Sequence, residues 1–272
     1  MNPIRLAGGE HAVLLIHGLQ SSPTELLPLA KRLHQAGYTV YMPHIAGYGY
    51  IHGDTPHSIT HWQDWYAKVM SEFRTLQQQH KSVAVGGLSI GATLSLSIAA
   101  ELGDEIAALA LLSTTLWYDG WAMPWYRSLR YLGYIWPLRY LCTFRESEPF
   151  GLKNPFLRKW IAREMGHKDA TMIGASRLYL PAIQEAERLI ASIKKSLPRI
   201  TAPAIIIHAE EDEVASPRSA HHIAKNIGSK VVETVMLHNS YHMITIDNDR
   251  EQVASDTIRF LDNVCTKRAA SQ

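Results

Sequence analysis

Cysteine is scarce in this chain: Cys142 and Cys265 are the only two in 272 residues. Two thiols can form at most one bridge, so no disulfide framework holds the fold, and free thiols in a reducing compartment are the simpler expectation. An excess of one charge is lacking too. There are 27 Lys and Arg against 25 Asp and Glu, a formal net charge of +2. With no basic run and no zinc-type spacing of Cys and His, nucleic acid is not expected as a partner. No stretch approaches the roughly 18 apolar residues of a membrane span. Residues 1–9 lack an apolar segment of signal-peptide length, and the expected location is the cytoplasm. Internal repeats and low-complexity segments are absent. What is there, 46% hydrophobic and 19% charged residues, suits one large globular domain, or one domain with an insertion.

The most informative stretch is Val83-Ala84-Val85-Gly86-Gly87-Leu88-Ser89-Ile90-Gly91-Ala92. Residues 82–86 read as a buried strand. Ala92, Leu94, Leu96, Ile98, Ala99 and Leu102 read as the apolar positions of a buried helix running from Ile90 to Leu102. Between the two, Gly87 and Gly91 flank Ser89 in G-x-S-x-G spacing. A serine on a sharp strand-to-helix turn needs small neighbours for the backbone to bend, and the turn lifts its hydroxyl clear of both elements. An ordinary glycine-rich turn would carry the same three residues. The strand before and the apolar helix after favour the nucleophile elbow.

Around this stretch, strand and helix alternate. Ala12 to Ile16 is a continuous apolar run, as in a strand buried on both faces of a parallel sheet, and it leads into His17-Gly18-Leu19-Gln20. Ser21 to Thr24 carries helix-start chemistry, Leu26, Leu29, Ala30 and Leu33 repeat at helical spacing, and Gly37 stops the helix. Residues 39–42 form the next strand. Trp62, Trp65, Tyr66, Val69, Phe73 and Leu76 mark the buried stripe of a helix over about 60–79. Strands follow at 107–112, 204–208 and 230–237, with helices at 218–227 and 250–264. This order predicts a mostly parallel sheet with helices on both faces.

From Leu116 the pattern changes. Thirteen aromatic residues lie between Trp117 and Trp160, and Pro124, Pro137, Pro149 and Pro155 break the stretch into short pieces. It reads as a mostly helical insertion, not sheet, continuing through Pro181 to Ser196. The expected division is a core of residues 1–115 and 199–272 and a cap of residues 116–198. Most cap aromatics are expected to be buried packing against the core. The basic residues Arg127, Arg130, Arg139, Arg145, Lys153, Arg158, Lys159, Arg163 and Lys168 outnumber Asp119, Glu146, Glu148 and Glu164, which would favour an anionic surface if they share a face.

In an open parallel sheet, ligands bind beyond the carboxyl ends of the strands. Ser89 follows one strand, Glu210, Glu211, Asp212 and Glu213 follow another, and His238 and His242 follow the last. The order Ser, acid, His suits a catalytic triad on such a sheet. A hydroxyl is a poor nucleophile at neutral pH, so Ser89 needs a base. His242, on a loop long enough to reach the elbow, is favoured over His238, which directly follows its strand. The four acids remain alternatives on spacing alone. An oxyanion hole needs two backbone N–H groups, expected from Ile90 at its helix start and from Leu19, with Gly18 leaving room. His44, His52, His57 and His61 show no metal-ligand spacing and are expected in loops or at the surface.

Taken together, His17-Gly18, residues 43–49, Asp64-Trp65, Gly87 to Gly91, Asp212-Glu213-Val214 with Ser216-Pro217, and residues 241–245 resemble the bacterial carboxylesterase branch of the α/β-hydrolase superfamily. Monoacylglycerol lipases are similar. The resemblance implies an α/β-hydrolase fold: a mostly parallel central sheet flanked by helices, with a mostly helical cap insertion. It assigns nucleophile, acid and base to Ser89, Asp212 and His242, oxyanion donors to Leu19 and Ile90, and implies neither cofactor nor metal. The chain departs from the family at Tyr48, where histidine is frequent, and in the length of its aromatic insertion.

The activity expected is hydrolysis of carboxylic esters with an apolar short-to-medium acyl chain, through an acyl-enzyme. A thioesterase or monoacylglycerol lipase would use the same triad. A non-catalytic ligand-binding protein on this fold would be expected to lose a triad member, and none is missing. The partner expected is a small-molecule ester. Cap aromatics are alternatively read as lining an acyl tunnel above Ser89, or as a patch that meets lipid or micelle.

Overall fold

The computed structural model describes residues 2–51, 53–167, 170–171 and 174–269. His52 and Lys168 lie outside the described residues, as does the side chain of Cys265. The strands are β1 (Ile4–Leu6), β2 (His11–Ile16), β3 (Thr39–Met42), β4 (Ser82–Leu88), β5 (Leu109–Leu112), β6 (Thr143–Arg145), β7 (Ala170–Thr171), β8 (Gly174–Ala175), β9 (Arg177–Tyr179), β10 (Ala204–Ala209) and β11 (Val232–Leu237). The α-helices are α1 (Leu27–Gln35), α2 (Trp62–Gln77), α3 (Ile90–Leu102), α4 (Arg130–Gly133), α5 (Pro155–His167), α6 (Leu180–Ser196), α7 (Arg218–Asn226) and α8 (Arg250–Ala269).

Seven strands form the central sheet in the order β1-β3-β2-β4-β5-β10-β11. All pairings are parallel except that of β1, a short edge strand lying antiparallel to β3. The continuous apolar runs follow from burial on both faces. Leu14, Ile16, Val83, Val85, Leu109 and Ile206 point into a core shared with α2, α3, α6 and α7. Val13, Leu15, Ala84, Ala110, Ile205 and Ile207 alternate with them and face α1 and α8. Helix α3 is buried along almost its whole length, which is why its sequence is apolar on every side rather than striped.

From β2 the chain runs outward to β3 and then returns to the opposite side of β2 as β4. That reversal opens a crevice at the carboxyl ends of β2 and β4, where such sheets bind ligands. In the pairing, Leu14 stands opposite Val85 and Ile16 opposite Gly87. The approach is close enough to need a bare backbone: a Cβ on Gly91 would fall on the carbonyl oxygens of Ile16 and His17.

The segment after β5 differs from the expectation in three ways. It contains two short antiparallel ribbons, β6 with β9 and β7 with β8, among its helical turns. Helix α6, expected as the end of the insertion, instead packs in the sheet's own helical layer: Ala186, Leu189, Ile190 and Ile193 join the core built on α2 and α3. The aromatics are mostly not core either. Trp121, Trp125, Tyr126, Tyr131, Trp136, Phe144, Phe156 and Trp160 are exposed, with Trp125 at 87% and Phe156 at 82%, while Trp117, Tyr118, Tyr134, Tyr140 and Phe150 are half-buried. The elements between Leu116 and Tyr179 are too short to build a hydrophobic interior of their own, so their apolar side chains have little to pack against.

Gly91→Ala should lower thermal stability by at least about 2 kcal/mol, several degrees in Tm, because the added methyl meets backbone that cannot move without parting β2 from α3. Thermal melts followed by circular dichroism measure this, and a Tm within a degree of wild type would refute the steric argument.

Candidate active site

Ser89 follows β4 directly, with φ at 59°. A side chain in this left-handed region costs on the order of 1–2 kcal/mol, and surrounding bonds must hold it there. Its N–H donates to Leu112 O at 2.9 Å, and its own carbonyl accepts Thr93 N–H at 3.2 Å as α3 begins. The half-buried Ser89 Oγ shares a hydrogen bond with Thr115 Oγ1 at 3.1 Å, on the loop after β5.

Asp212 and His242 come from the loops beyond β10 and β11 and meet in the interior. His242 Nδ1 stands 2.7 Å from Asp212 Oδ2, and both residues are buried. Asp212 Oδ1 accepts the N–H groups of Val214 at 2.9 Å and Ala215 at 2.8 Å. The carboxylate is therefore fixed in orientation, and it selects the tautomer in which Nδ1 carries the proton and Nε2 is left for chemistry. Burial opposes charge on either partner, but their mutual attraction and hydrogen bond outweigh it. Asp212 is held below its ordinary value. His242, drawn also by Glu213 and Glu25, is pushed up to about 9.

Glu213 is not solvated, unlike Glu210 and Glu211. It is 3% exposed, and its Oε2 accepts the His242 backbone N–H at 3.0 Å. Burial raises its carboxyl to about 7 despite the nearby His242 charge. Glu146, on the ribbon side of the cap, is raised to about 7 for the same reason and is close enough to be drawn down by His242. Behind Asp212 lies His208, fully buried. Its Nε2–H donates to Ala215 O at 2.8 Å and stands 3.4 Å from Asp212 Oδ2. Burial lowers its pKa and keeps the ring neutral.

The turn after β2 leaves the sheet beside the start of α3, where Gly91 packs against the carbonyls of Ile16 and His17. It is held from several sides. His17 Nδ1–H donates to Gly18 O at 2.8 Å, and burial drops this ring to about 3, so it stays neutral. Tyr48 donates its hydroxyl to His17 O at 2.6 Å and accepts Gln20 N–H on its carbonyl at 2.8 Å. Tyr48 thus braces this loop from the position where the resembled family often has histidine.

Other expected candidates lie elsewhere. His238 is exposed and pairs with Glu210 at 3.0 Å, and Glu211 pairs with Lys153 at 2.8 Å. His44 is half-buried, donating Nε2–H to Tyr50 O at 3.2 Å. His57 stacks on Tyr140 with ring centroids 4.2 Å apart, and His61 reaches Glu185 at 3.3 Å. Among the described residues, no three His, Cys, Asp or Glu side chains are grouped to hold a metal. Sequence reasoning offered Glu213 only as an alternative acid, and it missed Glu25, His208 and Asp247, the last a buried carboxylate that accepts the N–H groups of Lys153, Asn154 and Tyr241 at 2.7, 3.0 and 2.9 Å. Only burial distinguishes these residues from solvated ones. Glu25 was further disguised by Ser22-Pro23-Thr24-Glu25, which reads as ordinary helix-start chemistry.

A serine on a strained strand-to-helix turn and a buried His–Asp pair, at one end of a mostly parallel sheet, define a serine hydrolase of the α/β-hydrolase superfamily. The chain belongs to the family described as serine aminopeptidase, S33, whose model matches residues 9–249, and within the superfamily it lies on the carboxylesterase and monoacylglycerol-lipase branch. It is 31% identical to a thermostable monoacylglycerol lipase of Bacillus sp. (strain H-257) over 269 residues, 95% of this chain and 93% of that one. To a carboxylesterase of Bacillus subtilis (strain 168) it is 26% identical over 265 residues, 96% of each. A solved structure from work on LipS and LipT, two metagenome-derived lipolytic enzymes, superposes with a TM-score of 0.79 at 26% identity, covering 96% of this chain and 97% of that one.

The shifted groups predict how stability depends on pH. His242 titrates near 6.5 unfolded and about 9 folded, so its contribution is complete below 6.5 and is lost as pH rises through 9. Glu25, Glu146 and Glu213 move from 4.5 to about 7, so they remove stability between those values as the unfolded chain ionises first. Tm should therefore fall in two steps, and His242→Gln should abolish the alkaline one. An unchanged loss of Tm between pH 7 and 9.5 in that variant would contradict this account.

Proposed function

We propose that this serine hydrolase cleaves carboxylic esters with an apolar acyl chain through an acyl-enzyme, with Ser89 as nucleophile, His242 as base and Asp212 as orienting acid. The observation that carries this reading is the buried 2.7 Å bond between His242 Nδ1 and Asp212 Oδ2 at the same end of the sheet as the strained Ser89. His242 Nε2 takes the Ser89 proton as Oγ attacks the ester carbonyl, and the imidazolium that forms sits beside a carboxylate already ionised to receive it. Leu19 and Ile90 N–H groups stabilise the oxyanion, the latter at the positive end of α3. The imidazolium gives its proton to the leaving alcohol, and water repeats the sequence on the acyl-enzyme.

The substrate class is drawn from the relatives named above, one a monoacylglycerol lipase and one a carboxylesterase. We place the cap at residues 116–179, since α6 packs with the core helices, and the protein in the cytoplasm. The cap also suggests where substrate comes from. On α5, Phe156, Lys159, Trp160 and Arg163 recur at helical spacing and all are exposed, an aromatic and basic face of the kind that settles into an anionic lipid interface. Exposed Trp125, Trp136, Leu132 and Leu141 add apolar surface.

Ser89→Ala should keep the fold, lose fluorophosphonate labelling and lower kcat by about a million-fold. On p-nitrophenyl esters of two to sixteen carbons, kcat/KM should climb from acetate by roughly fourfold per methylene until the pocket fills, and aminoacyl p-nitroanilides should be poor substrates. More than a few per cent residual activity in Ser89→Ala would remove the nucleophile assignment. A maximum at acetate with a steep fall by hexanoate would remove the apolar acyl pocket, and faster turnover of the anilides would replace ester with peptide.

For the cap, co-sedimentation with phosphatidylcholine vesicles should be weak, should strengthen when phosphatidylglycerol is added, and should weaken in Trp125→Ala/Trp136→Ala and in high salt. Equal binding to both vesicle types, or to neither, would dismiss the anionic-surface assignment.

A further inference from the structure

Among the buried ionisable groups that the proposed reaction does not use, Glu25 is set apart by where its two oxygens go. It lies in the short 3-10 turn Pro23–Leu26 and is 1% exposed. Its Oε1 accepts the Gly18 backbone N–H, and its Oε2 accepts the Ser21 hydroxyl. These partners flank Leu19 and Gln20, so one carboxylate clasps both ends of the turn that carries the Leu19 N–H. The turn closes on itself as well, Ser21 N–H donating to Gly18 O at 3.3 Å. A Cβ on Gly18 would stand 3.2 Å from Oε1, ordinary packing made tight, so the carboxylate lies flush against this backbone. Behind it, Thr245 Oγ1 donates to Glu25 O at 3.0 Å, tying the clasp to the loop that carries His242.

The turn needs holding. Gln20 has φ at 50°, a conformation a non-glycine residue adopts at a cost on the order of 1 kcal/mol or more. Its carbonyl accepts Ala175 N–H at 3.0 Å and its Oε1 accepts Tyr179 N–H at 2.5 Å, so two further bonds hold this residue besides the Glu25 clasp on its neighbours. Burying the carboxyl there is unfavourable, and burial pushes it up to about 7 against the Ser21 and Gly18 bonds and the His242 charge. A leucine of similar volume would bury more cheaply. What it could not do is accept the two hydrogen bonds that fix the turn.

We propose that Glu25 is a positioning residue for the oxyanion hole: its buried carboxylate clasps Gly18 and Ser21 and thereby holds the Leu19 N–H in line with Ser89. This rests on the assignment of Leu19 as an oxyanion donor made above. Oxyanion donors accelerate reaction because they are fixed before charge develops, so loosening one raises the barrier without weakening ground-state binding.

The test compares wild type with Glu25→Leu, Glu25→Gln and Ser21→Ala on one p-nitrophenyl ester, measuring kcat, KM, Tm and the inhibition constant of a trifluoromethyl ketone, whose serine adduct carries the oxyanion. Glu25→Leu should lower kcat on the order of tenfold to a hundredfold with KM changed less than threefold, and should weaken the ketone by the same factor as kcat. Glu25→Gln, which keeps an acceptor for Gly18 N–H, should recover most of that loss, and Ser21→Ala should fall between. If folded Glu25→Leu keeps wild-type kcat and ketone affinity, or loses kcat with ketone affinity unchanged, the proposal is overturned. Should Glu25→Leu fail to fold, Ser21→Ala decides: unchanged kcat and ketone affinity there overturn it equally. Fluorophosphonate labelling separates this from the reading beneath it. Loss of labelling in wild type, or its persistence in Ser89→Ala, defeats the serine mechanism, whereas normal labelling with insensitive Glu25 variants defeats only the clasp.

Discussion

Everything at the site depends on how closely β4 and the start of α3 approach the end of β2. At Gly91 the space left is smaller than a methyl group, with the carbonyls of Ile16 and His17 on the far side. That contact sets the elbow serine and the turn of residues 17–21 against each other across the reversal in strand order. Two further loops, from β10 and β11, then need only cross the same end of the sheet to bring Asp212 and His242 into place. Chemistry is confined to loop tips, while the parallel sheet, buried on both faces, supplies the rigid frame.

The electrostatics follow from how much acid has been buried here with little base. Asp212, Glu213 and Glu25 are all under 4% exposed, and Glu146 adds a fourth carboxyl from the cap side. His242 is the group whose charge all four feel. Only Asp212 bonds to it directly through the ring, and only Asp212 is lowered. The other three rise, since they are too distant or too weakly bonded to offset desolvation. The resulting field favours a positive imidazole, which suits the moment after proton transfer better than the moment before it.

Outside this frame the chain is less regular. Between Leu116 and Tyr179, helical turns and two short ribbons leave large aromatic side chains in solvent, anchored through Asp247 to the His242 loop and through Gln20 to the turn after β2. Further bonds tie this segment to the loop after β10, through Gly120 and Ala122, and to Glu187 on α6, through Arg130 and Tyr134. The family relationship spans nearly the whole chain, cap included.

The sequence by itself determined the alternating strands and helices, because residues 12–16, 107–112 and 204–207 are apolar without interruption, as strands of a doubly covered parallel sheet must be. It also determined the strand-to-helix turn at Ser89, since G-x-S-x-G between two buried elements has few other uses. Local pattern could not separate Asp212 from Glu213, adjacent and equally buried, whose roles differ by which oxygen reaches the ring and which reaches the backbone. Glu25 and Asp247 were invisible for the same reason: a carboxylate carries no local signal of burial. The aromatic stretch misled, because composition reports how much apolar surface exists and not whether anything lies near enough to cover it. Only the tertiary structure decided those matters, since each depends on contacts between residues far apart in the chain.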